Sequence, residues 1–290
     1  MLSINKKVIE KDIVDYFDIC EIHYKRFWDL KNSMAIHFGF WDENTTNFAQ
    51  ALQNENKLLA ETAHINKSDV VLDAGCGVGG SSIFLAREYA CKVTGITLSE
   101  KQVLTAKQNA QKFNVENYVD FFKKDFSNTD LPDKSFTVIW AIESMCYAPD
   151  KKVFLAESMR LLADKAKIII ADGFLKDENL THAEINKMKW LDAWSIPNFY
   201  TINEFKKLLE DTGFKHITFM NMTSQVLPSS KRAYIPSLIM YPAAKLMEWT
   251  HLRKKIQTDH VIGSIYQYLT LKKKIWMYGI FYAEKKGSRL

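Results

Sequence analysis

The chain has 290 residues, of which 47% are hydrophobic and 25% are charged, and this composition excludes disordered and collagen-like chains. Glycine and proline together supply 17 residues, about half the usual share, so long helices and strands should outnumber tight turns. The formal net charge of +5 is uneven, because the last 66 residues hold 12 Lys or Arg against 3 Asp or Glu.

Apolar runs of four to eight residues alternate with helix-length patterns along the chain, and they predict seven strands. In chain order these strands are residues 70–73, 92–97, 118–122, 136–141, 166–171, 216–221 and 275–283. Such alternation predicts an α/β fold in which helices cover both faces of a mainly parallel sheet.

Two segments outside this alternation carry their own signals. Residues 16–48 contain nine aromatic side chains in 33 positions, which either line a ligand cavity or anchor an N-terminal helical layer. More than 50 residues separate the sixth and seventh strands, far beyond a normal connection. Within them, residues 234–249 predict an apolar helix that is either buried or placed at a membrane interface, and that is too short to span a bilayer.

The basic C-terminal region fits an acidic substrate, an anionic membrane surface or nucleic acid, although a solvated helical face explains it equally well. No nucleic-acid-binding signature accompanies the charge, so we expect no nucleic-acid partner. Peripheral membrane contact through this region stays open, as does the oligomeric state.

The cysteines and the N-terminus indicate the compartment. The four cysteines show neither disulfide nor metal-ligand spacing; they are Cys20, Cys76, Cys91 and Cys146. The N-terminus lacks a secretory signal, and no run of about 18 apolar residues exists. The sequence therefore predicts a cytoplasmic protein that is at most peripheral to a membrane.

A glycine-rich turn follows the first predicted strand. Residues 70–82 read VVLDAGCGVGGSS, in which Gly75 and Gly77 allow a tight turn and a close approach to a ligand. Gly80 is expected to let the next helix pack near the strand. The spacing G-x-G-x-x-G alone does not separate a dinucleotide site from an S-adenosylmethionine site.

Three neighbouring features favour S-adenosylmethionine over a nicotinamide dinucleotide. The second strand ends without the acidic residue that would hold a dinucleotide ribose. Asp73 ends the first strand, where it attracts an ammonium group and repels a pyrophosphate. Asp125 and Phe126 follow the third strand, where a carboxylate accepts from an adenine amino group and a ring stacks on the base.

The block from residue 70 to 173 resembles the class I S-adenosylmethionine-dependent methyltransferases. Residues 93–102 read VTGITLSEKQ, which resembles a segment of cyclopropane fatty-acid synthases and of sterol and tocopherol methyltransferases. Residues 141–150 read AIESMCYAPD, similar to the Glu-containing motif of the sterol and tocopherol enzymes. Residues 27–43 resemble the lid segment of the same group, and residues 276–286 look most like tocopherol methyltransferases.

The resemblance implies a Rossmann-like sheet of seven mostly parallel strands with an antiparallel last strand. It places an N-terminal helical lid at 1–62, a cofactor-binding core at 63–224, a helical insertion at 225–274, and the last strand and tail at 275–290. Carried over position by position, it implies the following cofactor contacts: Asp73, Gly75, Gly77, Thr97, Leu98, Gln102, Asp125, Phe126 and Ala141. Met34 and Ala35 stand where cyclopropane synthases have a Tyr-Ser pair, which argues against cyclopropanation.

Methyl transfer is an in-line displacement on a sulfonium, so the protein has to align the acceptor and exclude water, and no metal is required. Glu143, with Trp140 and Tyr147 nearby, would stabilise positive charge developing on a carbon acceptor. For an oxygen or nitrogen acceptor, Glu143 or His37 would take the proton. Both also have structural explanations, Glu143 as a hydrogen-bonding or cofactor-contacting residue and His37 as a core histidine.

The leading hypothesis is therefore a methyltransferase acting on a bulky apolar small molecule, such as a lipid, a prenylated compound or a sterol-like acceptor. An N-methyltransferase of a small amine or alkaloid-like substrate and a cyclopropane synthase-like enzyme are the alternatives. From a different class, a cofactor-binding protein without turnover would also fit, with its basic C-terminal region docked on a membrane.

Overall fold

A seven-stranded sheet lies at the centre of the computed structural model, which describes residues 2–3, 8–28, 30–176 and 179–287. The described strands are β1 (Leu2–Ser3), β2 (Val70–Ala74), β3 (Lys92–Thr97), β4 (Val119–Lys123), β5 (Phe136–Ile142), β6 (Leu162–Leu175), β7 (Asn198–Phe199), β8 (Phe214–Asn221) and β9 (Trp276–Lys285). The described helices are α1 (Glu10–Phe27), α2 (Leu30–Ser33), α3 (Phe48–Thr62), α4 (Gly80–Tyr89), α5 (Glu100–Lys112), α6 (Lys151–Leu161), α7 (His182–Lys187), α8 (Trp190–Ala193), α9 (Ile202–Thr212), α10 (Thr223–Trp249) and α11 (Lys255–Lys272).

The sheet order is β4-β3-β2-β5-β6-β9-β8. Strands β2 to β6 pair in parallel, whereas β9 runs antiparallel to both of its neighbours, β6 and β8. The predicted α/β sheet of seven mostly parallel strands with an antiparallel last strand is confirmed. The structure adds a short antiparallel pair of β1 with β7. These strands were not predicted because two residues are too few to give an alternating pattern.

Two strands begin earlier than their sequence patterns indicated. β6 starts at Leu162, where its pairing with β5 changes register between Phe136 and Val138. β8 starts at Phe214 and shifts register against β9 after Lys215. Such irregularities interrupt the alternation of apolar and polar residues, so the start of each strand carried no clear signal.

The central strands are buried on both faces, as parallel strands between two helical layers require. Val71 of β2 and Val138 of β5 belong to the apolar cluster on one face of the sheet. Their chain neighbours Leu72 and Ile139 belong to the cluster on the other face. This alternation anchors the sheet in both apolar clusters. In such sheets ligands bind at the carboxyl ends of the strands, here those of β2, β3 and β5.

Helices α10 and α11 occupy the long connection between β8 and β9. The apolar segment predicted at 234–249 forms the second half of α10, which begins at Thr223 and continues through Pro228, Pro236 and Pro242. Helix α11 packs against α10, α8 and α1. Within the described residues no helix is long and apolar enough to span a bilayer. The proposed domain boundaries at 62, 224 and 274 stay predictions.

Candidate active site

The turn after β2 is built so that only glycine fits at its first position. Gly75 has φ +99°, and a Cβ there would lie 2.3 Å from the Cβ of Ser144. Its backbone N–H donates to the carbonyl oxygen of Ile96 at 3.0 Å, which ties the turn to β3. Gly77, with φ +53°, has open space around the position of a Cβ. The turn therefore presents bare backbone to the cleft.

Gly80 has a different partner from the one expected. A Cβ at this position would lie 2.2 Å from the carbonyl oxygen of Met34, so the close neighbour is the lid segment and not the strand. The prediction that Gly80 permits close packing on the strand is therefore wrong, because the close neighbour is Met34. Because Gly80 has no side chain, the backbone of Met34 lies close to the start of α4, and residues 34–38 line the cleft.

Asp73 lies at the end of β2 and is 3% exposed. The hydroxyl of Ser82 donates to its carboxylate at 2.6 Å. Burial raises the pKa of Asp73 to about 6, against the opposing effects of the Ser82 hydrogen bond and the His37 charge. A cationic group bound beside this carboxylate would relieve the cost of its burial, so the ammonium of S-adenosylmethionine fits here.

The end of β3 forms the second wall of the cleft. The hydroxyl of Thr97 donates to Oε1 of Gln102 at 2.5 Å. Ser99 caps α5, and its hydroxyl also donates to Asp18 of α1 at 3.0 Å. Helix α1 is therefore attached to the edge of the cleft, whose lining it shares with Leu98.

One cavity brings together most of the residues predicted from the sequence. Its lining includes nine of the eleven, namely His37, Asp73, Gly75, Gly77, Thr97, Leu98, Gln102, Phe126 and Glu143. Asp125 and Ala141 do not line it. Asp125 is exposed and accepts from the backbone N–H of Ser127 at 2.7 Å, while Ala141 is fully buried within β5. The individual cofactor and catalytic roles stay predictions.

Glu143 follows β5 in a strained left-handed conformation, with φ +46°. Its Oε1 accepts from the backbone N–H of Phe38 at 2.7 Å, which joins the lid to the core. Burial raises the pKa of Glu143 well above its usual range, and the charge of Glu55 raises it further.

His37 is held by a buried carboxylate that the sequence analysis missed. Its Nδ1 lies 2.7 Å from Oε2 of Glu55, and the hydroxyl of Tyr278 donates to Oε1 of Glu55 at 2.7 Å. Nε2 of His37 is buried and has no hydrogen-bond partner among the described residues. The carboxylate of Glu55 occupies Nδ1, so Nε2 is the ring nitrogen available for a proton transfer.

A signal for Glu55 was present in the sequence. It lies in α3 on the same helical face as Ala51, Leu52 and Leu59, and all four side chains are buried. A carboxylate inside an apolar stripe predicts a buried hydrogen-bonding or charged partner, since burying an unpaired charge is costly.

The nine aromatic side chains of residues 16–48 are divided between the wall of the cavity and other positions, among them the core. Five of the nine line the cavity, namely Phe17, Tyr24, Phe27, Trp28 and Phe38. The other four do not, and Tyr16 and Phe40 among them are buried in the core. Trp140, expected near Glu143, is fully buried in the sheet and does not line the cavity, whereas Tyr147 does.

Cys20, His23 and His260 also lie together, with potential ligand atoms within 4.8 Å of one another. However, the guanidinium of Arg253 contacts Nε2 of His23 at 2.8 Å. Its donor occupies that ring nitrogen, and its positive charge disfavours a bound cation. We assign no metal to this cluster.

The strand order, the glycine turn and the carboxylate beside it define an α/β protein with a cleft for S-adenosylmethionine. The family described as "Methyltransferase domain" matches residues 71–165. The chain is 33% identical over 214 residues to 27-O-demethylrifamycin SV methyltransferase of Amycolatopsis mediterranei, a match covering 72% of this chain and 78% of that protein. It therefore belongs to the class I S-adenosylmethionine-dependent methyltransferase family, whose cofactor is S-adenosylmethionine.

Two further proteins confirm the resemblance. Sterol 24-C-methyltransferase of Saccharomyces cerevisiae is 28% identical over 218 residues, which cover 73% of this chain and 56% of that enzyme. The cyclopropane synthase MmaA2 of Mycobacterium tuberculosis has the same fold, with a TM-score of 0.81, 13% identity and coverage of 97% of this chain and 100% of that one. The chain spans about half the length of several relatives that it matches.

Proposed function

We propose that this chain transfers a methyl group from S-adenosylmethionine to a bulky apolar small molecule. One observation carries the proposal: a single cavity is lined by the glycine turn at Gly75 and Gly77 and also by apolar side chains of α1 and α10, such as Phe17 and Met240. A donor and an apolar acceptor would therefore share one enclosure. The name of the sterol relative supports an apolar acceptor.

The residues around the turn fit the cofactor. Asp73 would hold its ammonium, the backbone at Gly75 and Gly77 would lie against it, and the ring of Phe126 would stack on the adenine. When bound, the sulfonium supplies an electrophilic methyl group. The protein then has to align the acceptor and keep water out, and the aromatic side chains of α1 do the latter.

The acceptor loses its proton to His37 in this proposal. Nε2 of His37 is buried beside the cavity without a partner in the described part of the chain, and Glu55 fixes the ring and stabilises the imidazolium that forms. Glu143 lines the cavity and is held by the backbone N–H of Phe38, so in this proposal it orients the acceptor and His37 takes the proton. An apolar acceptor bearing a hydroxyl group, such as a phenol, hydroquinone or sterol, matches this arrangement.

The compartment is a further part of the proposal. All four cysteines are free and buried, which supports a reducing compartment such as the cytoplasm.

The test is a transfer assay with methyl-labelled S-adenosylmethionine. A sterol, a prenylated hydroquinone, an unsaturated phospholipid and a small amine are offered separately, and we expect label in the hydroxyl-bearing apolar acceptors. Label in the amine alone would contradict the apolar acceptor and favour an N-methyltransferase. Label in the phospholipid alone would favour cyclopropanation or a related alkene reaction.

A matched pair of variants controls this assay. Asp73→Asn removes the charge beside the turn, and we expect an affinity for S-adenosylhomocysteine about 10- to 100-fold weaker, measured by calorimetry. Asp120→Asn makes the same change at an exposed carboxylate of β4 outside the cavity and should leave affinity unchanged. Tight cofactor binding without transfer to any acceptor would instead favour a binding protein without turnover.

A further inference from the structure

The outer face of α10 and the turn after it expose much apolar surface. Six large side chains there are between 47% and 79% exposed, namely Ile235, Leu238, Ile239, Leu246, Trp249 and Leu252; together they form what we call the docking face. Ile239, Trp249 and Leu252 are the three most exposed large hydrophobic side chains in the described part of the chain. Apolar patches of this kind on a protein surface mark interaction sites.

The docking face is a continuous stripe and not scattered exposure. Positions 235, 239, 246 and 249 follow one another at spacings of four, seven and three residues, and position 238 lies three residues after 235. These spacings place all five on one side of a helix. The opposite side of α10 faces the protein, where Pro236 and Met240 line the cavity and Ala244 is 2% exposed. A helix that is apolar on both sides is normally covered on both sides, so the stripe needs a partner.

Charge around the docking face indicates what that partner is. Residues 231–255 contain six Lys or Arg and a single acidic residue, Glu248. Arg253, Lys254 and Lys255 follow Leu252 directly. Lys254 is exposed and has no acidic partner among the residues that the structure describes. An exposed Trp and aliphatic side chains next to a basic cluster are typical of helices that lie in a membrane interface.

A second copy of the chain fits this surface less well. In a two-fold symmetric dimer the docking face would pack against itself, and the basic residues of the two copies would approach one another. Anionic lipid headgroups, by contrast, neutralise Lys254 and its neighbours while the acyl region covers Trp249 and Leu252. Both features of the surface are then satisfied at once.

We propose that the docking face inserts into the interface of a bilayer that contains anionic lipid, with the exposed Lys254 and Lys255 at the headgroups. Because the inner side of α10 lines the cavity, docking brings the cavity wall next to the lipid phase. An apolar acceptor would enter the cavity from there, and this last part rests on the proposed function. Membrane binding itself needs neither cofactor nor acceptor.

The first test is co-sedimentation of the full chain with vesicles, without cofactor or acceptor. We expect binding to vesicles of phosphatidylcholine and phosphatidylserine in equal amounts, and binding about tenfold weaker to phosphatidylcholine alone. Trp249→Glu combined with Leu252→Glu should lower binding to the mixed vesicles at least about tenfold. Unchanged binding by this double variant, or no binding by the wild type, would overturn the proposal.

Matched substitutions elsewhere separate the docking face from general effects. Leu104 is 56% exposed on α5, and Leu104→Glu should leave vesicle binding unchanged. Lys254→Glu should weaken binding to the anionic vesicles about tenfold, whereas Lys206→Glu, the same change at an exposed lysine of α9, should not. Equal losses in the variants and their controls would show a non-specific charge effect and overturn the proposal.

A second measurement does not depend on a loss of binding. The native cysteines are all buried, so an environment-sensitive dye attached to a Leu252→Cys variant reports on that position. We expect a blue shift on adding anionic vesicles, and none for a dye at Leu104→Cys. Sedimentation velocity without lipid is run on the wild type; a dimer that Trp249→Glu dissociates would assign the docking face to a second copy and overturn the proposal. Methyl transfer is not read in any of these experiments, so their failure leaves the proposed function intact.

Discussion

At the scale of single residues, carboxyl groups gather at the carboxyl ends of β2, β5 and β6. Burial raises the pKa of Asp73 and of Asp172 to about 6, and it raises the pKa of Glu143 well above its usual range. Each of these groups would be stabilised as an anion by a nearby positive charge. Of the three, Asp73 and Glu143 line the cavity. The cleft therefore favours a cationic ligand, and the cofactor brings both an ammonium and a sulfonium.

This arrangement predicts that the protein without cofactor loses stability as pH rises. The pKa of Asp73 is about 6 in the folded protein and 3.8 in the unfolded chain, so its contribution to stability is present below pH 3.8 and is lost as pH rises through 6. The loss amounts to at most about 3 kcal/mol. Asp73→Asn should remove this dependence and make the cofactor-free protein more stable than the wild type at neutral pH, as urea unfolding measures.

Asp125→Asn is the control for that measurement, because its side chain is exposed. We expect its free energy of unfolding to stay within about 0.5 kcal/mol of the wild type at every pH. A variant Asp73→Asn that is less stable than the wild type at neutral pH would contradict the explanation, since the carboxylate would then stabilise the empty cleft.

A second prediction at this scale concerns the pair of His37 and Glu55. His37→Ala should lower kcat about 100-fold for a hydroxyl-bearing acceptor, because the proton acceptor is lost. Glu55→Gln should also lower kcat, since it removes the carboxylate that holds Nδ1, while the cofactor Kd stays within about twofold of wild type. His64→Ala, at an exposed histidine, is the control. Equal losses in cofactor affinity and kcat would assign both residues to the scaffold.

At the scale of elements, regular patterns were predictable and contacts between segments were not. All seven core strands were predicted from their apolar runs. The signal is strongest in the central strands β2, β5 and β6, because a strand between two helical layers needs apolar residues on both faces. The glycine turn was likewise predictable, since positive φ at Gly75 demands glycine. In contrast, the contact of Gly80 with Met34 and the hydrogen bond between Glu143 and Phe38 depend on how the lid packs on the core. Such contacts between distant segments leave no periodic pattern in a single sequence.

The contact at Gly80 leads to a prediction about the lid. Gly80→Ala adds a Cβ that would lie 2.2 Å from the carbonyl oxygen of Met34, so residues 30–38 must move away from α4. The helix itself should not suffer, because alanine has the higher helix propensity. We expect faster hydrogen exchange in residues 30–38 and weaker cofactor binding, with little change elsewhere.

The control for the lid is Gly287→Ala, whose added Cβ would meet only the flexible side chain of Lys165. Its hydrogen exchange in the lid should equal that of the wild type. If Gly80→Ala exchanged as slowly as this control, the lid would not depend on the close approach that the glycine permits.

At the scale of the whole molecule, helices α1 and α11 from opposite halves of the chain meet at the cleft. The hydroxyl of Tyr16 in α1 lies 2.9 Å from Nδ1 of His260 in α11, and Arg253 contacts His23. The sequence indicated an aromatic N-terminal segment and a long insertion separately. Their pairing spans more than 200 positions, and it could not be predicted because no periodicity links residues so far apart. Closure of the cleft is thus a property of the assembled chain.

The attachment of α1 to the core should set how fast the cofactor product leaves. Asp18 accepts from Ser99 at 3.0 Å, and Glu21 pairs with Lys101 at 2.8 Å. Since a part-buried hydrogen bond and a partly exposed ion pair each contribute little, Asp18→Ala combined with Glu21→Gln should speed dissociation of S-adenosylhomocysteine by only about fivefold, as stopped-flow measurements would show.

The control for α1 breaks a pair of the same kind away from the cleft. Asp211→Asn removes the partner of Lys207 on α9 and should leave dissociation unchanged. High salt should bring the wild type toward the rate of the double variant, because screening weakens the same charges. A double variant that releases S-adenosylhomocysteine at the wild-type rate in low salt would show that apolar packing alone, through side chains such as Phe17, keeps α1 closed over the cleft.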